Sequence, residues 1–463
     1  MRNPDRPALL DADDAALLVD QYELTMLQAY WSQEMHERAH FSLFVRRLPP
    51  GRNFLLACGL GTVLDLLADF RFRREGLEHL RGTGDFDPGF LEWLEGFRFT
   101  GDVRAAPEGT PIFPDEPLLE VEASIPEAQV LETLIMNQVH LQTVLASKAI
   151  RVRLAAGDRK VVDFGLRRMH GADAGLKAAR AFHIAGIDAT SNVLAGKVYG
   201  TPVTGTMAHS YIQAFDDELE SFRGWVRTFP ETILLVDTYD TLQGVRKVIR
   251  LARELGNDCR VRGIRLDSGD LGELAIESRK LLDEAGLEKV QIFASGGLDE
   301  WEIHDLLQEG APIDGFGVGT GMGVADDAPA LDIAYKLTGH AGKGRLKLSS
   351  GKRTLPGAKQ VFRQEDGEGK AVRDLLGREG ESLPGRSLLR PVMRGGERLP
   401  EGRESLEELR RRAAREVARL PERIRALEDA DPPYEVVISD ELERYTEAVT
   451  RQVAETAAAQ EIP

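Results

Sequence analysis

Residues 233–268 decide the fold: they read ILLVDT at 233–238, then a segment with helical spacing of apolar residues, then GIRLDS at 263–268. The helical pattern is formed by Leu242, Val245, Val248, Ile249, Ala252 and Leu255. A strand, a helix and a second strand in this order are typical of a βαβ unit with parallel strands. Each strand ends in acidic or small residues, which places polar side chains at the carboxyl edge of the predicted sheet.

The same alternation continues on both sides of this unit. Further strand-like runs are VVDFG at 161–165, IAGID at 184–188, residues 202–206, QIFASG at 291–296 and GFGVGT at 315–320. Strands that alternate with helices and end in polar residues predict an α/β fold with a TIM-like barrel at 151–334, whose catalytic groups lie on the loops at the C-terminal face. A doubly wound open sheet is the alternative that this pattern leaves open.

The segments outside the predicted barrel lack the alternation of strands and helices. Apolar residues recur at helical spacing in 15–35 and in 126–150, and residues 41–45 and 54–57 are strand-like, so we predict a separate N-terminal domain over 1–150. After residue 334, the stretch 343–363 is basic and strand-like and 365–400 is turn-rich. Residues 404–428 form a helical pattern that Pro421 divides, which predicts a C-terminal helical extension over 401–463.

Composition narrows the class of protein. The 463 residues are 42% hydrophobic and 29% charged, as in ordinary globular proteins, and this length predicts two or three structural units. No run reaches the roughly 18 apolar residues of a membrane span and no signal pattern opens the chain, so we predict a cytoplasmic protein. Cys58 and Cys259 are the only cysteines, so the sequence supports neither a disulfide framework nor a cysteine zinc site. A net charge of −17 argues against a nucleic-acid binder.

Glycines at two strand ends suggest an anion site. Gly296 and Gly297 follow one strand-like run, and GVGTGMG at 317–323 lies at the end of the next. Backbone N–H groups of glycines approach anions closely, and the last strand ends of a barrel often bind phosphate. The spacing fits neither a dinucleotide fingerprint nor a P-loop. Tight packing of loops is the alternative interpretation.

Acidic pairs follow two other strands, Asp237 and Asp240 in VDTYD and Asp267 and Asp270 in RLDSGD. Carboxylates at a barrel mouth bind Mg²⁺ or ribose hydroxyls, but Asp at this position also caps helices. Both interpretations are compatible with the sequence.

Arginines also stand near strand ends, in FGLRR at 164–168 and at Arg265, where their planar groups suit a carboxylate or a phosphate. A salt bridge to a nearby Asp is the alternative. The basic residues of 343–363 form a positive patch that suits a polyphosphate, although a solvated β-ribbon explains them equally well. His209, in GTMAHS at 205–210, is predicted to be exposed at a turn.

Eight segments in order along the chain resemble nicotinate phosphoribosyltransferases. They are DQYELTM at 20–26, FGLRR at 164–168, GIDATSNVLAG at 186–196, GTMAHS at 205–210, VDTYD at 236–240, IRLDSGD at 264–270, ASGG at 294–297 and GFGVGTGM at 315–322. The resemblance implies the reaction of nicotinate with 5-phosphoribosyl 1-diphosphate to nicotinate mononucleotide and diphosphate, in NAD salvage. It also implies ATP as a co-substrate, Mg²⁺, and transient phosphorylation of His209.

The resemblance implies roles for other residues. Tyr22 from a partner subunit and Phe164 would enclose the pyridine ring, and Arg167, Arg265 and Ser210 would form the carboxylate pocket. Asp237 and Asp267 would face ribose or magnesium in catalysis. The remaining positions are phosphate contacts: Gly296, Gly297, Gly319 and Thr320 for the 5-phosphate, and Lys347 and Lys359 for the diphosphate.

The fold that the resemblance implies is an irregular α/β barrel beside an N-terminal α/β domain that residues 335–400 complete, in a homodimer with shared active sites. Nicotinamide phosphoribosyltransferase is an alternative, because Asp188 lies where an amide-binding Asp would be expected. Quinolinate phosphoribosyltransferases are shorter and need no phosphorylated histidine. A non-catalytic barrel that binds a phosphorylated metabolite is the alternative from another class.

Overall fold

The computed structural model describes residues 12–348 and 354–459. The chain divides into two units, of which unit 1 contains the described residues up to Ser147 and from Ala330 onward, and unit 2 is Lys148–Pro329. Within the described residues, no helix is long and apolar enough to cross a membrane.

Unit 2 is built on six parallel strands. They are β6 (Lys160–Asp163), β7 (Ala189–Thr190), β8 (Ile233–Leu235), β9 (Gly263–Leu266), β10 (Gln291–Ser295) and β11 (Gly315–Val318). Their order in the sheet is β7-β6-β11-β10-β9-β8, so the first strand along the chain pairs with the last. The sheet therefore curls as an open barrel, with its seam between β7 and β8.

The helices of unit 2 connect these strands. They are α7 (Ala172–Ile184), α8 (Val193–Tyr199), α9 (His209–Gln213), α10 (Glu218–Thr228), α11 (Thr241–Leu255), α12 (Leu271–Glu284), α13 (Glu300–Gln308) and α14 (Thr320–Val324). Short 3-10 turns lie at Leu166–Arg168 and Gly256–Asp258. Val245, Val248, Ile249 and Ala252 of the apolar stripe in α11 are buried, and α11 packs against α10 and α12. The βαβ unit predicted at 233–268 is confirmed.

Two predicted strands differ from the structure. Residues 184–188 end α7 and lead into β7, which has only two residues. Within 202–206, Val203 makes an isolated bridge to Thr190 and no full strand forms. The glycines at 186 and 205 interrupt both runs, because glycine disfavours a strand interior.

Unit 1 holds three sheets. The strands are β1 (Arg38–Val45), β2 (Leu55–Leu56), β3 (Asp102–Ala105), β4 (Pro111–Ile112), β5 (Pro117–Ser124), β12 (Ile333–His340), β13 (Lys343–Gly344), β14 (Lys359–Glu365), β15 (Ala371–Arg378), β16 (Arg386–Ser387), β17 (Arg390–Arg394), β18 (Glu397–Arg398) and β19 (Glu435–Ile438). A seven-stranded antiparallel sheet has the order β13-β12-β1-β5-β3-β17-β18, a four-stranded sheet β16-β14-β15-β19, and β2 pairs with β4. Segments from both ends of the chain therefore form one seven-stranded sheet.

The helices of unit 1 surround these strands in sequence. They are α1 (Gln21–Ser32), α2 (Leu60–Ala68), α3 (Arg74–Thr83), α4 (Pro88–Glu95), α5 (Ile125–Gln129), α6 (Glu132–Ala156), α15 (Leu406–Arg419), α16 (Glu422–Arg425) and α17 (Asp440–Ala459), with 3-10 turns at Ala12–Leu17 and Pro400–Gly402. Helix α6 begins in unit 1 and ends in unit 2. Pro421 separates α15 from α16, as predicted.

The C-terminal part of unit 1 contains more strand than the sequence predicts. The turn-rich segment 365–400 includes the eight-residue strand β15. The segment predicted to be a helical extension is grouped with unit 1 and includes β19, which pairs in parallel with β15. The strand EVVI is short and follows two prolines, so its pattern is too brief to stand out. Residues 349–353, in the basic stretch, lie outside the described residues.

Candidate active site

The carboxyl edge of the unit 2 sheet gathers polar residues from five strands. The registers pair Leu235 with Arg265, Ser295 with Gly317, and Val318 with Asp163, so these strands end at nearly the same level. The residues that follow each strand therefore project from one edge, as the fold class requires.

Two carboxylates lie next to each other at this edge. Asp237 Oδ2 accepts hydrogen bonds from the Asp267 backbone N–H at 2.9 Å and from the Ser268 hydroxyl at 2.6 Å. Asp267 Oδ1 accepts a hydrogen bond from the Ser295 hydroxyl at 2.5 Å. Asp237 Oδ1 is buried and has no hydrogen-bond partner among the described residues. A buried carboxylate oxygen of this kind is suited to a ligand that the protein itself does not supply.

His209 joins the carboxylates through its position at the start of α9. Its Nε2 lies 3.7 Å from Asp267 Oδ2, and its Nδ1 lies 3.1 Å from the Thr238 hydroxyl oxygen. The side chain of His209 is 38% exposed, so one ring nitrogen is held by Thr238 while the ring remains accessible. The contact at Nδ1 influences which nitrogen carries the proton and which is nucleophilic.

Arg265 places a cation over an aromatic ring. Its guanidinium carbon lies 5.9 Å from the centroid of the Phe164 ring, and its Nη1 donates to the Thr206 hydroxyl at 2.6 Å. Nη2 donates to the Met207 carbonyl at 3.2 Å, whereas Nε is buried without a hydrogen-bond partner among the described residues. Burial lowers the pKa of this guanidinium, so an anion placed here would stabilise its charge.

The Phe164 ring occupies space that a glycine leaves open. A Cβ atom on Gly317 would lie 2.4 Å from the ring, so only glycine fits at this position of β11. The loop itself is fixed by Asp163, which accepts hydrogen bonds from the Gly165 N–H at 2.8 Å and the Thr190 hydroxyl at 2.7 Å. Burial raises the pKa of the Asp163 carboxyl, and these two donors oppose that shift.

The glycine loop after β10 approaches the acidic loop closely. A Cβ atom on Gly296 would lie 1.9 Å from the Asp267 carbonyl oxygen, and Gly296 and Gly297 have φ values of 92° and 70°. Both positions therefore require glycine. Gly319 and Thr320 follow β11, and Thr320 is exposed at the first position of α14.

The two acidic pairs are divided between function and capping. Asp240 Oδ1 accepts a hydrogen bond from the Gln243 N–H at 2.8 Å, and Asp270 Oδ1 accepts one from the Glu273 N–H at 3.0 Å. These second members are N-caps of α11 and α12. The first members, Asp237 and Asp267, are the pair that faces the site.

A cavity of about 380 Å³ runs along the inner face of the open barrel. Phe164, Thr206 and Arg265 line it near the carboxyl edge. Asp188 also lines it, but its Oδ2 lies 3.1 Å from Arg153 Nη1 and accepts a hydrogen bond from the Val161 N–H at 2.9 Å. The negative charge of Asp188 is thus compensated within unit 2.

The remaining site residues of the sequence prediction are distributed over both units. Arg167 and Ser210 are exposed residues of unit 2, and the charge of Arg167 is close enough to affect Arg265. Tyr22, on α1 of unit 1, is 46% exposed, and Lys347 is an exposed residue of unit 1. Lys359 is buried in unit 1.

Lys359 is enclosed by partners within unit 1. Its ammonium group is therefore not accessible to a ligand that arrives from the solvent. Its Nζ donates to the Ser42 hydroxyl at 2.8 Å and the Gly357 carbonyl at 2.7 Å, and lies 3.4 Å from Glu120 Oε1. The side chain is 3% exposed. The residues that the structure brings together are instead Phe164, His209, Asp237, Arg265 and Asp267.

Several positioning residues escaped the sequence analysis. Thr238 and Ser268 directly follow Asp237 and Asp267. Their hydroxyl groups next to each strand-end carboxylate could have identified them from the sequence. Asp163 stands inside the quoted run VVDFG, but its role depends on Thr190 of another strand. Within the described residues, no three or more His, Cys, Asp or Glu side chains are arranged to hold a metal ion by themselves.

Family models and known proteins match the sequence of this chain. Residues 17–140 match the family model of the nicotinate phosphoribosyltransferase N-terminal domain, and residues 159–347 match the model of the nicotinate phosphoribosyltransferase family. A nicotinate phosphoribosyltransferase of Mycobacterium tuberculosis is 54% identical over 427 residues, which cover 92% of each chain. One from Bacillus subtilis is 42% identical over 76% of this chain and 73% of its own.

A solved structure agrees with the fold. The crystal structure of human nicotinic acid phosphoribosyltransferase superimposes with a TM-score of 0.82 at 31% identity, covering 93% of this chain and 99% of the human one. The two family models together span most of the chain, and the relative from Mycobacterium tuberculosis aligns over 92% of it. The chain belongs to the nicotinate phosphoribosyltransferase family.

Proposed function

We propose that the carboxyl edge of the unit 2 sheet forms nicotinate mononucleotide and diphosphate from nicotinate and 5-phosphoribosyl 1-diphosphate. The observation that carries the proposal is the convergence of His209, Asp237 and Asp267 with Arg265 over the Phe164 ring. An aromatic face beside a buried cation suits a flat aromatic carboxylate. Nearby carboxylates and glycine loops suit the sugar and the phosphates.

The pocket favours the acid over the amide. Arg265 offers a buried Nε without a hydrogen-bond partner among the described residues, and Arg167 adds positive charge nearby. Asp188, which would repel a carboxylate, is neutralised by Arg153 at 3.1 Å. The net charge of these groups therefore attracts nicotinate. Ser210 of the same chain completes the pocket in this proposal, together with Tyr22 of the partner subunit.

The reaction joins the pyridine nitrogen to the anomeric carbon as the bond from that carbon to the diphosphate oxygen breaks. Positive charge develops on the ribose ring in an oxocarbenium-like transition state. Asp237 and Asp267 are placed to stabilise this charge and to orient the ribose hydroxyls, since preorganised charges act strongly where water is excluded. Phe164 holds the aromatic ring in line for attack.

The donor carries phosphates at both ends. Gly296, Gly297, Gly319 and Thr320 offer backbone and hydroxyl donors to the 5-phosphate. Of the two lysines that the resemblance implies for the diphosphate, Lys359 is enclosed in unit 1, so we retain the exposed Lys347 alone.

Mg²⁺ fits this set of residues. It is usually bound by one or two carboxylates together with water and substrate phosphates, and Asp237 Oδ1 lacks a partner among the described residues. Asp237 and Asp267 would hold it. When bound, it supplies Lewis-acid stabilisation of the departing diphosphate.

ATP hydrolysis is coupled to this reaction through phosphorylation of His209 in our proposal. Thr238 contacts Nδ1 of His209, while Nε2 lies 3.7 Å from Asp267 Oδ2 on a side chain that is 38% exposed. Asp267 is thus placed to compensate positive charge on the ring while a phosphoryl group is gained or lost. Phosphorylation would add negative charge next to the carboxylates and so alter the affinity for the anionic donor.

A homodimer completes the proposal, and each cytoplasmic subunit contains an irregular TIM-like barrel and an N-terminal α/β domain. Its support is an apolar patch on unit 2, in which Val193 is 74%, Leu194 53%, Val198 52% and Val203 47% exposed. Exposed apolar patches of this kind mark interaction surfaces. A second copy of the chain would cover the patch and supply Tyr22.

The test is a comparison of substrates. Nicotinate and nicotinamide are each incubated with 5-phosphoribosyl 1-diphosphate, with and without ATP, and diphosphate release is measured. We expect nicotinate to be used and ATP to accelerate it. Preference for nicotinamide without stimulation by ATP would contradict the acid pocket and the histidine role. If neither nicotinate nor nicotinamide leads to release of diphosphate, the protein is a binding protein rather than a transferase.

A further inference from the structure

Lys148 is a buried lysine on α6 that the reaction described above does not use. Its Nζ lies 2.6 Å from Glu300 Oε2 and 3.1 Å from Asp327 Oδ1, and its side chain is 1% exposed. Glu300 is also paired with Arg151, whose Nε lies 2.7 Å from Glu300 Oε1. A buried cation between two carboxylates persists only when the geometry is favourable, so it marks a fixed point of the structure.

The two carboxylates lie on the segments that follow the two glycine loops of the proposed phosphate site. Glu300 is the first residue of α13, three positions after Gly297. Asp327 lies three positions beyond the end of α14, the helix that begins at Thr320. One ammonium group therefore connects the start of α13, which follows the loop after β10, with the segment that follows α14.

The loops have little freedom to change their separation. A Cβ atom on Gly321 would lie 3.3 Å from the Asp299 Cβ and 3.4 Å from the Leu298 carbonyl oxygen, so the second loop already contacts the first. Asp299 forms a capping box with Glu302, which fixes the start of α13. Lys148 adds the attraction that keeps these surfaces together.

We propose that Lys148 is a positioning residue that sets the distance between the glycine loops, so that both contact the 5-phosphate of the donor at once. This inference rests on the proposed location of that phosphate. Because its side chain is almost fully enclosed, Lys148 acts through Glu300 and Asp327 and does not touch the substrate. Losing it would loosen the donor site and leave the nicotinate pocket intact.

The experiment measures the KM for each substrate in Lys148→Met, which keeps an unbranched side chain one atom shorter and removes its charge. We expect the KM for 5-phosphoribosyl 1-diphosphate to rise about 10-fold, because small displacements of positioning groups have large effects. The KM for nicotinate should stay within about twofold. Lys148→Arg should recover part of the donor affinity, since it restores the positive charge.

Lys177→Met is the matched control. Lys177 is a buried lysine of unit 2, 8% exposed, whose Nζ lies 2.5 Å from Asp173 on the same helix α7. It removes a similar ion pair that holds neither glycine loop. Equal losses of thermal stability in the two variants, with an unchanged donor KM in both, would overturn the proposal.

Two further variants keep the result interpretable. Should Lys148→Met fail to fold, Asp327→Asn tests the same link, since the Asp327 side chain is 38% exposed, and an unchanged donor KM there would overturn the inference. Thr320→Ala tests the proposed phosphate contact directly. A raised donor KM in Thr320→Ala alone would reject the role of Lys148 and keep the proposed function. No change in Thr320→Ala would instead reject the phosphate location, and the inference with it.

Discussion

Unit 1 and the carboxyl edge of unit 2 both place ionisable side chains opposite each other, but the two pairs differ in their exposure to water. In unit 1, Arg363 and Asp374 form two hydrogen bonds, at 2.9 and 2.6 Å, and their side chains are 2% and 0% exposed. At the edge of unit 2, His209 and Asp267 are 38% and 34% exposed and lie 3.7 Å apart. Enclosed charges that are close together hold the fold, whereas accessible charges with wider spacing leave room for chemistry.

Lysine illustrates the same contrast. Lys359 of unit 1 lies in the basic stretch 343–363, and the family resemblance implies that it contacts the diphosphate. The structure encloses it among Ser42, Gly357 and Glu120. The comparison therefore predicts that variants in the interior of unit 1 change stability, and variants at the edge of unit 2 change kinetics.

The largest expected effect is on stability. Lys359→Met leaves Glu120, 3% exposed, without its buried cation, and should lower the free energy of unfolding by about 3–5 kcal/mol. Denaturant unfolding measures this loss, and kinetics at low temperature should show an unchanged donor KM. Lys347→Met is the control, because this lysine is exposed and its loss should not change stability. A stable Lys359→Met enzyme with a raised donor KM would show that Lys359 serves donor binding rather than the stability of unit 1.

The next effect is on coupling. His209→Ala should abolish stimulation by ATP, a factor on the order of 5–150 for typical coupling free energies, while basal transfer remains. Because the side chain is 38% exposed, thermal stability should change little. Diphosphate release with and without ATP gives the factor, and ³²P transfer from ATP gives the phosphorylation. Full stimulation in the variant would remove His209 from the mechanism.

A smaller effect concerns the aromatic wall of the pocket. Gly317→Ala would place a Cβ atom 2.4 Å from the Phe164 ring and displace it, so the KM for nicotinate should rise about 10-fold with a smaller change for the donor. Gly272→Ala is the matched control, because its new Cβ would lie at least 3.4 Å from its neighbours. Equal kinetics in the two variants would show that Phe164 does not contact nicotinate.

The smallest effect is a pH dependence in unit 1. Burial raises the pKa of Glu23 to about 7, although hydrogen bonds from Thr133 oppose the shift. Because the folded value lies above the ordinary value of 4.5, the contribution of Glu23 to stability is fully present below pH 4.5 and is lost as the pH rises through about 7. Glu23→Gln cannot ionise, so its thermal midpoint should decline less than that of the wild type between about pH 5 and pH 8.

The exposed Glu92→Gln serves as the control for this measurement, since its midpoint should follow the wild type at both pH values. A parallel decline in wild type and Glu23→Gln would mean that Glu23 stays ionised in the fold.

The sequence predicts the parallel strands of unit 2 well, because βαβ units carry a strong local pattern from residue to residue. The strands β8 to β11 and the helices between them lie where the apolar runs predict. It also predicts Asp237 and Asp267 at one edge, since both follow strands of the barrel, whereas the run before His209 forms only an isolated bridge.

Other features depend on contacts between distant segments and leave no local signal. Strand β19 pairs with β15 across about 60 residues of sequence, and its four residues are too few to show a period. Enclosure of Lys359 requires Ser42, more than 300 residues away along the chain, so its partners cannot be inferred from neighbouring residues. The same holds for Lys148, whose partners Glu300 and Asp327 lie more than 150 residues away along the chain.

The seam of the open barrel has a consequence for self-association. Open sheet edges expose unpaired N–H and C=O groups that can recruit a strand from another molecule, and natural proteins limit this risk with very short edge strands. The seam is bounded by the two shortest strands of the sheet, β7 with two residues and β8 with three. An incoming strand would find only a brief template there, so the barrel stays open to substrates without becoming a starting point for aggregation.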